Sequence, residues 1–322
     1  MSKNILLSTV PVRADAMEKL RNAMDSSREL VLGSVPPGRY ADVEVIVYSN
    51  GTLTSNEFRR MTNLKLLQST SAGLDHIDFG SLAPAVTVCA NSGPYSDPIA
   101  EHVFAMILCL AKNLIEHNQK LKNGVFEKSP LGVFLKGKTI GIIGAGGIGQ
   151  AVARLAKSFG MKTLGINSSG KDTVYFDRVS TLAKLDSVLC TSDVIVVTIP
   201  LTNKTRDLLD STKLRLLKRD CILVNVSRGA VINEKALYDL LMDNPTLKVG
   251  SDVWWRYPSA GEKFMQDYPF FNLPNFIGTP HFADGVKETE ELVLDYAVEN
   301  VIRYLKKQPL RGVAKREDYI GL

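Results

Sequence analysis

The sequence has no apolar run approaching the roughly 18 residues that span a bilayer. The longest, Val103 to Ala111, reads as a buried helix. No signal peptide is expected, because Met1-Ser2-Lys3-Asn4 leads straight into a strand-like stretch. No basic cluster is interleaved with aromatics, and a net charge of +5 is small for 322 residues. That argues against a nucleic-acid or membrane partner. The four cysteines, Cys89, Cys109, Cys190 and Cys221, lie far apart without a C-x-x-C pair. Free thiols in a reducing cytoplasm are expected, with no disulfide framework and no metal site. Histidine is scarce: only His76, His102, His117 and His281 can serve a mechanism needing an imidazole. There is no repeat of solenoid period and no low-complexity tract.

What is present is an alternation of strand and helix signals. Asn4 to Val10, Val43 to Tyr48, Leu64 to Thr70 and Val86 to Ala90 read as strands. Ala14 to Met24 and Ser55 to Met61 read as helices, with Ser55 as an N-cap. One long amphipathic helix is expected from about Pro98 to Lys122, capped by Ser96 or Asp97. After a connection over Gly124 to Gly137 the alternation restarts. Strands are expected at Thr139 to Ile143, Lys162 to Ile166, Val194 to Pro200, Cys221 to Val226 and Lys248 to Val253. Helices are expected at Ile148 to Phe159, near Ser211 to Leu217, at Glu234 to Met242 and from about Val286 to Lys307. Such alternation implies α/β architecture, with two doubly wound parallel-sheet domains.

Between the strand Thr139 to Ile143 and the next helix stands Gly144-Ala145-Gly146-Gly147-Ile148-Gly149. This is the context a dinucleotide turn needs. Gly144 makes the tight turn, Gly146 admits a pyrophosphate to the backbone, and Gly149 lets the helix pack on the strand. The helix N-terminus then offers N–H groups to the phosphates. An S-adenosylmethionine site uses a similar turn and stays open at this stage. The end of the following strand reads Asn167-Ser168-Ser169-Gly170-Lys171, with no carboxylate before Asp172. A carboxylate there would hold ribose hydroxyls and repel a 2′-phosphate. Its absence favours NADP over NAD.

Seven segments, in order and spacing, resemble the D-2-hydroxyacid dehydrogenase family. That family includes glyoxylate/hydroxypyruvate reductases, phosphoglycerate dehydrogenases and formate dehydrogenases. The segments are STSAGLDHID (69–78), AEHVFAMILCLAKN (100–113), GKTIGIIGAGGIGQAVARLAKSFGMK (137–162), VIVVTIPLTNKT (194–205), ILVNVSRGAVINEKAL (222–237), SDVWW (251–255) and TPHFADG (279–285). The resemblance implies a Rossmann cofactor domain, 98–285, inserted in a flavodoxin-like substrate domain, 1–97 plus 286–322. It also implies a homodimer.

Reduction of a 2-oxo acid needs a hydride at the carbonyl carbon, a proton at its oxygen and a cation for the carboxylate. By resemblance, His281 is the acid/base and Arg228 clamps the carboxylate and carbonyl of a small carboxylate substrate. The backbone of Ala72, Gly73 and Leu74 holds that carboxylate too. Further contacts to the cofactor are implied for Thr198, Pro200, Thr205, Val226, Ser227, Asp252 and Ala283. His76, His102 and His117 are expected to be structural or solvated. The family pattern breaks at one point: Tyr257, before Pro258, stands where the family carries a catalytic glutamate. A phenol can orient a histidine but supplies no charge to keep it protonated. Glu262 could fold back instead, or the substrate could need no proton transfer, as formate does. A non-catalytic dinucleotide sensor is the remaining alternative.

Overall fold

Parallel pairing organises both sheets of the computed structural model, which describes residues 4–322; Met1–Lys3, part of the leader reading above, lie outside the described residues. The chain divides into two compact units, residues 1–95 with 286–322, and residues 96–285.

The first unit contains β1 (Asn4–Ser8), α1 (Ala14–Ala23), β2 (Arg28–Leu32), β3 (Val43–Tyr48), α2 (Ser55–Arg60), β4 (Leu66–Ser69) and β5 (Thr87–Cys89). Its sheet runs β2-β1-β3-β4-β5, all parallel. This is the flavodoxin-like order. The chain's last helix belongs here. One sheet face packs Leu6, Val45 and Leu66 with Ala16 and Leu20 of α1 and with Leu294, Ala297, Val298 and Val301. The other face packs Ile46 and Leu67 with Tyr40, Phe58 and Met61. A fully buried amide pair ties helix to sheet, as Asn300 Nδ2 donates to Gln68 Oε1 at 2.6 Å. The N-cap of α2 is Thr54 rather than Ser55. Thr54 Oγ1 accepts from the Glu57 amide, and Glu57 reaches back to the Thr54 amide at 2.8 Å. A capping box needs its glutamate three residues on, which Thr54 has and Ser55 lacks.

The second unit contains α3 (Ser96–Ala111), α4 (Leu114–Lys122), β6 (Thr139–Ile143), α5 (Gly147–Ser158), β7 (Lys162–Ile166), β8 (Arg178–Ser180), α6 (Leu185–Thr191), β9 (Val194–Val197), α7 (Ser211–Leu214), β10 (Ile222–Asn225), α8 (Glu234–Asp243), β11 (Lys248–Ser251) and β12 (Phe276–Gly278). The last helix of the chain, α9, is Lys287–Leu305. The order β12-β11-β10-β9-β6-β7-β8 is that of a Rossmann sheet with one added strand. The chain reverses its winding between β6 and β9, which lie side by side.

The single long helix expected from Pro98 to Lys122 is two helices, bent by 58°. Asn113 sits between them at φ +53. Asparagine tolerates this left-handed conformation better than most residues. Its side-chain amide donates to the carbonyls of Pro130 and Leu131, both at 3.2 Å, and Lys248 Nζ bonds Asn113 Oδ1 and the Leu110 carbonyl. Those partners come from distant sequence, so helical periodicity did not register the break. Ser96 and Asp97 lie inside the first turn of α3 rather than before it. α7 ends after one turn, short of Leu217. Among the described residues no single helix is long and apolar enough to cross a membrane.

Candidate active site

The candidate residues of the second unit sit on loops that leave the carboxyl ends of β6, β7, β9, β10, β11 and β12. In open parallel α/β sheets, ligands bind at this edge, outside the switch point.

After β6 the chain turns at Gly144, with φ +119. A Cβ there would lie 2.6 Å from Thr198 Oγ1 and 2.9 Å from the Ile199 amide. A Cβ on Gly149 would fall 1.9 Å from the Gly144 carbonyl oxygen. Helix α5 can therefore start this close to the strand only with glycine at 149. Gly146 differs: a Cβ there meets nothing of the protein within 4 Å. The packing of the chain does not demand glycine at 146, and the space beside it is open. The first-turn amides of Gly147, Ile148 and Gly149 have no intrahelical acceptor, and that turn carries no acidic side chain. These features fit a phosphate group at the helix start.

The neighbouring loops are braced by their own polar groups. Thr198 Oγ1 donates to the Gly144 carbonyl at 2.8 Å, locking the ends of β6 and β9 together. Thr205 is buried; its hydroxyl donates to the Pro200 carbonyl and accepts from the Thr202 amide, so it serves its own turn. Beyond β7, Asn167 Oδ1 accepts the amides of Ser169 and Gly170, at 3.1 and 2.6 Å. Ser168, Ser169 and Lys171 are exposed on that turn. Asp172, the first carboxylate after the strand, accepts the Val179 amide at 3.0 Å.

At the end of β10, Asn225 folds the chain. Its Oδ1 accepts from the amide and hydroxyl of Ser227, at 3.0 and 2.8 Å, and its Nδ2 donates to the Arg228 carbonyl at 3.0 Å. Val226 and Ser227 are thereby buried and Arg228 is half-buried at the edge. Gly229 follows against the backbone of Trp254 and Trp255, where a Cβ would come within 2.3 Å of the Trp254 carbonyl carbon.

His281 is exposed and sits at φ +58, in the left-handed region. The turn carrying it is clamped by Asp252, which is 1% exposed. Asp252 Oδ1 accepts from Thr279 Oγ1 at 2.5 Å and from the Phe282 amide at 2.8 Å; Oδ2 accepts from the Ala283 amide at 2.9 Å. Trp254, a core residue at 4% exposure, donates its indole N–H to the Thr279 carbonyl at 3.0 Å. The Arg228 turn and the His281 turn thus rest on one Trp254–Trp255 segment.

Tyr257 is exposed beside His281, with ring centroids 5.5 Å apart and planes tilted by 38°. Its hydroxyl accepts the Trp254 amide at 3.2 Å. Glu262 is exposed and accepts the Ser259 amide at 3.0 Å, closing its own loop.

The Ala72-Gly73-Leu74 turn belongs to the other unit, after β4. The Leu74 side chain is buried in that unit's core, while Ala72 and Gly73 are half-buried. The backbone just before them is fixed by Asn91, whose amide donates to the Ser71 carbonyl at 2.9 Å. Sequence reading missed Asn225 as the residue that shapes the arginine turn. A buried asparagine ending an otherwise apolar strand was its signal. Sequence reading placed His102 among the structural or solvated histidines; the structure sets its Nε2 3.1 Å from Thr279 Oγ1.

Residues 104–283 match the family model described as D-isomer specific 2-hydroxyacid dehydrogenase, NAD binding domain. The chain is 31% identical to the glyoxylate reductase of Thermococcus litoralis over 252 residues, 76% of this chain and 74% of that one. It is 29% identical to the D-3-phosphoglycerate dehydrogenase of Methanocaldococcus jannaschii over 318 residues, 96% of this chain but 59% of that one. This chain therefore spans about three-fifths of that relative's length. Among solved structures, a putative formate dehydrogenase from Pyrobaculum aerophilum is similar, with a TM-score of 0.83 at 29% identity over 98% of this chain and 99% of that one. So is an acyclic imino acid reductase in complex with NADPH and D-Arg, with a TM-score of 0.78 at 26% identity over 97% and 100%. The chain belongs to the D-isomer specific 2-hydroxyacid dehydrogenase family of oxidoreductases.

Proposed function

We propose that this chain transfers a hydride between NAD(P)H and a small 2-oxo acid of the glyoxylate or hydroxypyruvate kind, giving the D-2-hydroxy acid. The observation carrying this reading is the gathering of the glycine turn, the Arg228 turn and the His281 turn at the carboxyl edge of one parallel sheet. When bound, the reduced nicotinamide supplies the hydride. Arg228 presents a planar fork to the substrate carboxylate and its adjacent carbonyl oxygen. His281 gives its proton to that oxygen as negative charge builds there. The Ala72, Gly73 and Leu74 amides are further donors to the carboxylate. Gly144 to Gly149, Pro200, Val226 and Ser227 hold the dinucleotide, on loops braced by Thr198, Thr205 and by Asp252 through Ala283.

NADP is the favoured form. Asp172 is turned to Val179, while Ser168, Ser169 and Lys171 stand exposed on a braced turn. An ammonium and two hydroxyls there suit a 2′-phosphate. The similar imino acid reductase is described with NADPH. The chain is expected to oxidise NADPH with glyoxylate or hydroxypyruvate at a higher kcat/KM than NADH. Lys171→Ala is expected to lower the NADPH value by about tenfold, leaving NADH little changed. Equal use of both dinucleotides before and after substitution would sink the 2′-phosphate assignment.

One observation favours a second reading. Tyr257, uncharged, is the ring beside His281, which suits a substrate needing no proton transfer. Formate with oxidised dinucleotide is the matching assay; turnover there and none with 2-oxo acids would replace the first reading. The reading also includes a homodimer. Leu114, Ile115 and Leu121 of α4, with Phe126, Leu131 and Phe134 beyond it, are 54% to 87% exposed, and exposed apolar side chains so close in sequence support a second copy covering them. Sedimentation as a monomer at micromolar concentration would contradict it.

A further inference from the structure

We infer that His102 is a positioning residue for His281, acting through Thr279 and Asp252; this rests on the reading of His281 as the acid/base. His102 lies on α3, a helix packed against β10 and β11. Its Nε2 is 3.1 Å from Thr279 Oγ1 and 3.8 Å from Asp252 Oδ1.

The direction of each hydrogen bond follows from the donors available. Asp252 receives three: the Thr279 hydroxyl at 2.5 Å and the amides of Phe282 and Ala283. A threonine hydroxyl has one proton to give. That proton goes to Asp252, so toward His102 the same oxygen can only accept. His102 must therefore carry its proton on Nε2. The chain runs His102 Nε2–H to Thr279 Oγ1–H to Asp252. Asp252 in turn binds the two amides that follow His281.

The effect on His281 is geometric. Its own amide donates to the Thr279 carbonyl at 3.0 Å, and its backbone is held at φ +58. The residue before that turn and the two after it are thus bound to one buried carboxylate. Without the His102 proton, Thr279 Oγ1 keeps its bond to Asp252 but loses the donor that fixes its orientation from the helix side. The clamp is then held from one side only, and the turn carrying the imidazole loosens. A displacement of about 1 Å at a reacting group can cost up to about 100-fold in rate.

The test pairs substitutions that remove a proton donor with ones that keep it. His102→Phe is expected to lower kcat for 2-oxo acid reduction by about 10- to 100-fold, with KM for the dinucleotide changed far less. His102→Gln keeps an N–H near the Nε2 position and is expected to recover to within about threefold of the parent. Thr279→Val is expected to match His102→Phe, Thr279→Ser to retain activity, and the double change His102→Phe/Thr279→Val to cost no more than either alone. Additive losses, or His102→Gln as damaging as His102→Phe, would overturn the inference. If His102→Phe fails to fold, the Thr279 pair and the spectrum below still decide.

A second readout needs no turnover. With only four histidines in the chain, ¹⁵N-histidine NMR resolves each imidazole. His102 is expected as the Nε2–H tautomer at mildly alkaline pH, and Thr279→Val is expected to shift the His281 signals. An Nδ1–H tautomer at His102, or His281 signals unmoved by Thr279→Val, would overturn the inference. A parent protein that reduces no 2-oxo acid but gives the expected spectra would count against the acid/base reading and leave the hydrogen-bond chain standing.

Discussion

Changing His281 to asparagine is expected to lower kcat for 2-oxo acid reduction by about 10²- to 10⁴-fold, the usual range for losing a positioned acid/base. The dissociation constant for NADPH is expected to change by less than about twofold, within the range of an uncoupled surface change. The choice of asparagine is structural. His281 holds φ +58, and asparagine is among the side chains that accept a left-handed backbone at little cost. Alanine would confound lost chemistry with strain in the turn. The imidazole is exposed, so no core contact is lost, and the Asp252 clamp on Thr279, Phe282 and Ala283 does not involve the side chain at 281. Steady-state kinetics with glyoxylate or hydroxypyruvate checks this. Retention of more than about a tenth of the parental kcat would remove His281 from the chemistry.

The glycine turn carries the second large expectation, because two of its glycines are there for different reasons. At Gly149 an added Cβ would strike the Gly144 carbonyl oxygen, 1.9 Å away, with Ile142 Cγ2 3.2 Å off. The nearest obstacle is backbone, so helix and strand must part. Gly149→Ala is expected to destabilise the second unit by about 1–3 kcal/mol, the ordinary cost of overpacking. At Gly146 the added methyl meets no protein atom. Gly146→Ala is expected to leave the melting temperature within about 2 °C of the parent. Dinucleotide affinity should nevertheless fall by about tenfold or more, because the methyl occupies space that the pyrophosphate needs beside the helix N-terminus. Calorimetric melting and dinucleotide titration of the two variants check both arms. Gly146→Ala that binds dinucleotide as the parent does would show that the open space beside the turn is not where phosphates sit.

The turn was legible in the sequence because each requirement on it is local. A strand, a positive φ and a helix start fall within eleven residues, and glycine spacing reports all three. The same holds for the strands with continuous apolar runs, such as β6, β9 and β10, buried throughout or nearly so. β2 (Arg28–Leu32) escaped notice because it is an edge strand of half-buried residues that ends on an exposed leucine, with two charged residues at its start. β8 is three residues long and leaves no periodicity to read. The break at Asn113 and the clamp at Asp252 failed to show for a common reason. Their partners lie far along the chain, Lys248 at 135 residues from Asn113, and Phe282 and Ala283 at 30 and 31 from Asp252. Asp252 entered only as a cofactor contact implied by the resemblance, and what it holds depends on β11 and β12 lying side by side. His102 was read as architectural, and by position it is. Only the fold brings α3 under the end of β12, so that an architectural histidine touches the turn that carries His281.

Tyr257 has also become more definite. Its hydroxyl is bonded to the Trp254 amide and its ring lies beside His281. Glu262, the alternative source of charge, closes its own loop through Ser259. The ring beside the proposed acid/base is therefore a phenol, which brings no charge of its own.

The most direct measurement follows the hydride itself. The parent protein is incubated with NADPH carrying deuterium at the nicotinamide C4 position, with hydroxypyruvate or glyoxylate as acceptor, and the product is analysed by mass and by chiral separation. Deuterium at C2 of a D-configured 2-hydroxy acid from hydroxypyruvate, or at C2 of glycolate from glyoxylate, is the expected result. NADPH bound but not oxidised, or a product with no deuterium at C2, would contradict hydride transfer to a 2-oxo acid at this site.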